Sequence, residues 1–401
     1  MKKFLFALAI ALGASASFAG SLICRLSDPS LASEVGLTYG ITPTDNTSPA
    51  PFVLFTTPAG TSTTTYQLLM ATDPRVVWAE DDASLTTPES AGQAKLPSKG
   101  STLPAVGDRI KVTNLNFNFL QSISWNRIVA NTSGRLVKVA ILDTGLTPNA
   151  PYLTSKVVAS INTVEPGLPA FDMPRGVDSD RDGRFDSKVG HGSMVAGIVD
   201  LVSPQSRFVI CRVADSDGIA TAWRLIKGLA FAVVNGAEVA NVSLASTERI
   251  VALSDVLDWV KDYDITIVAA AGNLGTESDM YPAGYTSVIS VAGLNTNRTK
   301  APFSNYSRSI VSSAPAVGIV SIDWNGSAAA WSGTSFAAPI ITGSIVEGLR
   351  LTSGPIKAAR ILKAVKSTGD DIDRLNPAYE KMLGTELNFT RLIEAFRNGN
   401  I

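Results

Sequence analysis

Leu136-Val-Lys-Val-Ala-Ile-Leu142 runs directly into Asp143-Thr144-Gly145, and this junction decides how the chain folds. A nearly continuous apolar run, rich in β-branched residues and closed by a Thr-Gly turn, reads as a strand buried on both faces. Runs of the same texture recur at residues 207–213, 238–244 and 265–270. Between them, helical patterns occupy residues 220–235 and roughly 247–263. Strands alternating with helices predict an α/β fold, a parallel sheet covered by helices on both sides. In such sheets the working residues gather at the carboxyl ends of strands and at adjoining helix amino termini. The unusual polar residues of this chain stand at those places.

Composition narrows the chemistry. The chain has 401 residues, is 45% hydrophobic and 17% charged, and carries Lys+Arg 34 against Asp+Glu 35. That supports a sizeable core and excludes wholesale disorder. A net charge of −1 argues against nucleic acid as a partner, since phosphate binding leaves a basic footprint. Two cysteines, Cys24 and Cys211, build neither a disulfide framework nor a cysteine zinc site. One histidine, His191, excludes H-E-x-x-H helices and multi-histidine metal centres. Any imidazole chemistry must run through that residue.

The amino terminus reads as an address. Met1-Lys2-Lys3, an apolar run from Phe4 to Leu12 and small residues ending Ser17-Phe18-Ala19 describe a secretory signal peptide, residues 1–19. No later segment is apolar for long enough to span a membrane, so an exported protein, extracellular or periplasmic, is expected. Residues 20–82 read as a small block with a strand near 51–56, a helix near 66–72 and a β-rich close from Asp73 to Asp81. Residues 83–118, rich in Ser, Thr, Pro and Gly at their start, read as an exposed linker. The remaining block, 119–401, holds the α/β pattern.

Three polar residues then stand out in chain order. Asp143 follows a buried strand. His191 sits in Gly190-His-Gly-Ser193 before an apolar helix. Ser335 sits in Gly333-Thr-Ser-Phe-Ala-Ala-Pro339, and Pro339 is tolerable only near a helix start. A serine hydroxyl needs a neutral imidazole to take its proton, and the imidazole needs a buried carboxylate to orient it and stabilise its cation. Singly, each residue reads as a turn, a tight passage or an N-cap. Jointly, in this order, they read as a nucleophilic triad, with Asn273 at a strand break as a candidate oxyanion donor.

These segments resemble the subtilisin-like serine proteases, over about 280 residues from near Leu120 to the carboxyl end. The resemblance implies a parallel seven-stranded sheet sandwiched by helices. It implies Ser335 as nucleophile, His191 as general base and acid, Asp143 as its orienter and Asn273 as oxyanion donor. Ser243-Leu244-Ala245 is similar to the segment that pairs with the substrate backbone, and Ala270, Gly272 and Met280 belong to the implied substrate site. Ser193 and Phe336 depart from the commoner Thr and Met in ways that keep the chemistry. Ala245, where Gly is usual, and Met280 before Tyr281 suggest a shallow primary pocket for small or medium apolar side chains. Asp73-Pro-Arg-Val-Val-Trp-Ala-Glu-Asp81 is similar to the close of the family's inhibitory propeptides. A self-processing zymogen follows, with its own propeptide and polypeptide substrates as partners, as a monomer, with maturation between Asp82 and Asn114.

No cofactor is expected for the chemistry. Asp178, Asp180 and Asp182 with Gly183 have the D-x-D-x-D-G spacing of calcium loops. Val189 stands where an EF-hand has its last glutamate, and Asp186 at position nine offers partial compensation. The same residues also read as a solvated acidic loop balanced by Arg181 and Arg184. An α/β-hydrolase esterase is excluded, because the serine motif lacks the second glycine of G-x-S-x-G and the triad order differs. A catalytically silent binding protein on the same fold is the competing reading.

Overall fold

In the computed structural model, which describes residues 19–89, 117–125 and 133–401, the first unit runs β1 (Ser21–Leu26), helix Ala32–Tyr39, β2 (Thr42–Asn46), β3 (Phe52–Thr56), helix Thr63–Met70 and β4 (Val76–Asp81). This β-α-β-β-α-β arrangement forms one antiparallel sheet, in the order β2-β3-β1-β4. Its apolar face packs Leu22, Cys24, Val53 and Phe55 against Val35, Tyr66 and Met70 of the helices. The turn into β4 is set by Asp73, which accepts from the Arg75 N–H at 2.9 Å and pairs with its guanidinium at 2.6 Å. The boundary with the second unit falls between Asp82 and Ala83. The expected signal peptide lies outside the described residues, save for Ala19.

The second unit contains β5 (Ser84–Thr86), β6 (Lys138–Asp143), β7 (Val157–Asn162), β8 (Arg207–Arg212), β9 (Ile219–Thr221) and β10 (Val239–Val242). It continues with β11 (Thr266–Ala270), β12 (Val288–Leu294), β13 (Ser312–Pro315), β14 (Ile319–Ile322), β15 (Ala328–Trp331) and β16 (Thr385–Glu386). Eight of these make one parallel sheet, ordered β16-β13-β12-β11-β10-β6-β8-β7. The resemblance implied seven strands; the observed edge, β16, is only two residues long. It is held at that edge by Glu386, whose buried carboxylate pairs with Arg298 at 2.5 Å. A strand so short and polar leaves no pattern in the sequence.

Every residue of β10 and β11 is buried, as expected for strands covered on both faces. The helices Ala222–Val234 and Val251–Lys261 are amphipathic and bury one side only. By contrast, His191–Val202 and Thr334–Arg350 are buried all round, so they read as continuous apolar segments rather than as periodic ones. These two helices meet at Gly343, where a Cβ would lie 2.8 Å from that of Val202. That close approach fixes the helix carrying Ser335 against the helix carrying His191. Cys211 is fully buried in β8, where burial pushes its thiol pKa up; it behaves as a small apolar side chain.

One expectation needs correction. Residues 83–89 belong to no exposed linker. Ser84–Thr86 form β5, paired antiparallel with β9, and Leu85 is 0% exposed. Strand pairing uses backbone groups, so a Ser/Thr-rich composition does not prevent it. Residues 90–116 of the expected linker lie outside the described residues.

Candidate active site

Asp143 is the last residue of β6 and His191 the first residue of its helix. Both are 0% exposed. The Asp143 Oδ1 lies 2.7 Å from His191 Nδ1 and also accepts from the Thr144 N–H at 2.8 Å. The Thr144 hydroxyl accepts in turn from the Gly192 N–H at 2.9 Å, tying the strand-end turn to the helix start. Gly192 is required here, because a Cβ would sit 2.2 Å from the Gly145 carbonyl oxygen. The imidazole packs against Phe336 and Trp331, with ring centroids 5.3 and 6.1 Å away. These aromatics shield the pair from water, which strengthens its electrostatics.

Ser335 is the second residue of the Thr334–Arg350 helix, and Pro339 lies inside the helix four residues on. Proline has no N–H, so it cannot donate to the Ser335 carbonyl. The Ser243 hydroxyl donates to that carbonyl instead, at 3.1 Å. Ser243 is held by Asn241 at 2.9 Å, and Asn241 accepts from Thr342 of the same helix at 2.9 Å. Asn273 is fixed comparably: its Oδ1 accepts from both the N–H and the hydroxyl of Thr334 at 2.9 Å. With its oxygen occupied, the amide turns Nδ2 toward Ser335's neighbourhood.

All of these groups converge on one carboxylate, that of Glu89. Its Oε2 lies 3.1 Å from His191 Nε2 and accepts from the Ser335 hydroxyl at 3.0 Å. Its Oε1 accepts from Asn273 Nδ2 at 3.0 Å. Burial raises the Glu89 pKa, but the His191 charge and hydrogen bond outweigh it and hold the carboxyl below its ordinary value. On His191, burial lowers the pKa, while the Asp143 and Glu89 charges and hydrogen bonds raise it to about 10. The backbone delivers Glu89 to this point. Thr86 and Ala245 exchange both hydrogen bonds, at 2.7 and 3.0 Å, and the Thr87 N–H donates to the Gly218 carbonyl at 2.9 Å. Residues 84–89 thus lie between β9 and the Ser243-Leu244-Ala245 segment as an added strand.

Of the remaining expected substrate-site residues, Ala270 ends β11 and Leu244, Ala245 and Met280 are buried. Met280 fills the space beside Gly272, where a Cβ would stand 2.3 Å from its sulfur. Glu89 and the Asn273–Thr334 bonds escape sequence reading, because both join residues far apart in the chain with no spacing rule to connect them.

The acidic loop divides in two. Asp178, Asp180 and Asp182 each bring an oxygen within 4.8 Å of the others. Burial, then the Asp217 and Asp182 charges, push the Asp180 carboxyl up. Asp178 keeps one buried oxygen without a hydrogen-bond partner. Asp186 does not join the trio. It accepts from the backbone N–H groups of Arg175, Gly176 and Val177 and from the Ser216 hydroxyl, closing the loop on itself. Positive φ at Asp186, 52°, turns it that way.

A family model described as the subtilase family, peptidase S8, matches residues 134–362. Thermitase of Thermoactinomyces vulgaris is 32% identical over 254 residues, 61% of this chain and 84% of that protein. Subtilisin DY of Bacillus licheniformis is 30% identical over 253 residues, 60% of this chain and 85% of that protein. Among solved structures, fervidolysin from Fervidobacterium pennivorans, described as a keratinolytic enzyme related to subtilisin, superposes with a TM-score of 0.72. It does so at 20% identity, covering 96% of this chain and 62% of that one.

Proposed function

The chain belongs to the subtilase family of serine proteases, and we propose that it is an exported, self-processing endopeptidase whose catalytic residues are Asp143, His191, Ser335 and Asn273. The observation that carries this reading is the convergence of His191 Nε2, the Ser335 hydroxyl and Asn273 Nδ2 on a single bound carboxylate. A carboxylate held by these donors occupies the place of a reacting acyl group.

In a substrate complex the neutral imidazole of His191 takes the Ser335 hydroxyl proton as Oγ attacks the scissile carbonyl carbon. The carbonyl oxygen gains the negative charge, and Asn273 Nδ2 with the Ser335 N–H stabilises it. Collapse expels the amine, which receives the proton from His191. Water, deprotonated by the same imidazole, then cleaves the acyl-enzyme and restores Ser335. No cofactor enters these steps. Ser243-Leu244-Ala245 aligns the substrate backbone as it aligns Thr86. Ala245 and Met280 restrict the primary pocket to small or medium apolar side chains, and a cleavage profile dominated by aromatic or basic residues would overturn that preference.

The test is intact mass of the purified chain and of Ser335→Ala, each with and without a serine-directed fluorophosphonate. A single adduct and loss of the amino-terminal region in wild type, with neither in the mutant, is the expected result. A folded wild type showing neither event would favour the silent binding protein.

Latency is assigned to residues 83–89, which follow directly on the β-α-β-β-α-β unit read as propeptide. A peptide of sequence 83–89 is expected to inhibit the mature enzyme competitively. Its Glu89→Gln form should bind about 10- to 100-fold more weakly, because a charge-assisted hydrogen bond contributes about 1.5–3 kcal/mol. Equal inhibition constants for the two peptides would show that backbone pairing alone holds the segment.

Asp178, Asp180 and Asp182 fit a calcium ion: they are hard oxygen donors, with one buried carboxylate oxygen left over. A bound ion would neutralise the trio and brace the loop leading to His191. Calcium at saturating concentration is expected to raise Tm by about 5 °C or more, and Asp178→Asn with Asp182→Asn to abolish the rise. A wild-type Tm unmoved by calcium or chelator would leave the trio as a solvated loop.

A further inference from the structure

We propose that Asp172 is a positioning residue for the catalytic pair, a buried carboxylate that binds the turn carrying Asp143 to the helix start carrying His191. The proposal rests on the protease reading above and adds to it a residue outside the triad and the oxyanion site.

Asp172 is 0% exposed. One of its oxygens, Oδ2, accepts from the Thr144 hydroxyl at 2.9 Å, the Gly190 N–H at 3.0 Å and the Ser193 hydroxyl at 3.3 Å. Thr144 is the residue after Asp143, and Gly190 and Ser193 flank His191. The two tethered segments are joined again by the Gly192 N–H to the Thr144 hydroxyl, at 2.9 Å, and the Thr147 N–H to the Ser193 hydroxyl, at 2.9 Å. Each of those hydroxyls spends its own proton on Asp172. The carboxylate therefore fixes the direction of both hydroxyls, and through them the spacing of Asp143 from His191.

A hydroxyl or an amide would satisfy part of this arrangement, but an ionised oxygen takes several donors at once and strengthens each bond. Isolation of a carboxylate in this position is costly, which argues that its presence has a use. The charged groups facing it are Asp143 and His191; the Arg212 guanidinium reaches the same turn through the Thr144 carbonyl at 3.2 Å. Asp172 touches none of the catalytic side chains directly, so its effect passes through Thr144, Gly190 and Ser193. A misplacement of reacting groups by about 1 Å can cost about 100-fold in rate, which sets the scale of the effect.

The experiment compares mature wild type with Asp172→Ala and Asp172→Asn, with active sites counted by fluorophosphonate titration. Asp172→Ala should lower kcat about 100-fold with KM nearly unchanged. Asp172→Asn keeps an acceptor and loses the charge. It should recover most of kcat, while the acid limb of kcat/KM moves to lower pH by up to about 0.5 unit, since burial raises the Asp172 pKa to about 6 and the charge it carries near His191 above that pH is gone. Should Asp172→Ala fail to fold, Thr144→Val removes the same bridge and should show the same fall in kcat. Wild-type kcat per titrated site and an unmoved acid limb in the variants would overturn the proposal. A wild type without peptidase activity would instead remove the protease reading. In that case the His191 ring titration in the intact Ser335→Ala chain, followed by NMR, still decides: a lower midpoint with Asp172→Asn supports the role and an identical midpoint rejects it.

Discussion

Asp143→Ala is expected to slow peptide hydrolysis about ten-thousandfold at neutral pH without unfolding the enzyme. Asp143 contributes an acceptor and a charge to one place. Its Oδ1 receives both His191 Nδ1 and the Thr144 N–H, at 2.7 and 2.8 Å. Removing it leaves two buried donors unpaired, a stability cost of about 1–3 kcal/mol each. It also leaves the imidazolium formed during reaction without a counter-charge. Asp143→Asn separates the two contributions. Its amide oxygen can still receive both donors, so a variant as slow as Asp143→Ala assigns the loss to the carboxylate's charge, which holds the imidazole tautomer and stabilises its cation, and a much faster one assigns it to orientation. The variants are not expected to mature themselves, so they are processed in trans by wild type and assayed after separation from it. A loss below tenfold in Asp143→Ala would remove Asp143 from the mechanism.

What the sequence made legible follows from which interactions are local. Residues 207–213, 238–244 and 265–270, read as buried strands, coincide closely with β8, β10 and β11, because complete burial makes their apolar runs continuous. Asp143, His191, Ser335 and Asn273 were readable because each sits in its own short motif, and the fold brings all four to one place. The two-residue edge β16 and the hairpin of β14 and β15 carry no comparable signal. Residues 83–89 misled for a physical reason: a strand captured by backbone pairing needs no apolar periodicity, so its Ser, Thr and Pro content imitates a linker. Asp172 and Glu89 were invisible because their partners lie far along the chain. Their meaning depends on burial and on the donors that surround them, which only the tertiary structure supplies.

The intact chain should hold His191 protonated through neutral pH and beyond. Both ring nitrogens face carboxylate oxygens, Asp143 at 2.7 Å and Glu89 at 3.1 Å, and both must then carry protons. Burial opposes the charge, but the two carboxylates prevail and raise the pKa to about 10. An imidazolium has no lone pair to take the Ser335 proton, so the latency proposed above would be chemical as well as steric for as long as residues 83–89 are held in the site. Because the chain has a single histidine, ring NMR of intact Ser335→Ala reports this one group without ambiguity. Its midpoint is expected near 10, and Glu89→Gln should lower it by about 1–3 pH units, the effect of losing an adjacent opposite charge. The folded pKa lies above the unfolded value of about 6.5. The protonated pair therefore contributes its full stability below about pH 6.5 and loses it as pH rises through about 10. The grip on residues 83–89 should weaken over that same alkaline range. Once the segment has left, the Glu89 contribution is gone and His191 should titrate closer to neutrality, so that the mature enzyme gains activity as pH rises through that lower midpoint. An intact chain whose histidine titrates near 6.5, indifferent to Glu89→Gln, would mean that the carboxylate does not grip the triad in solution.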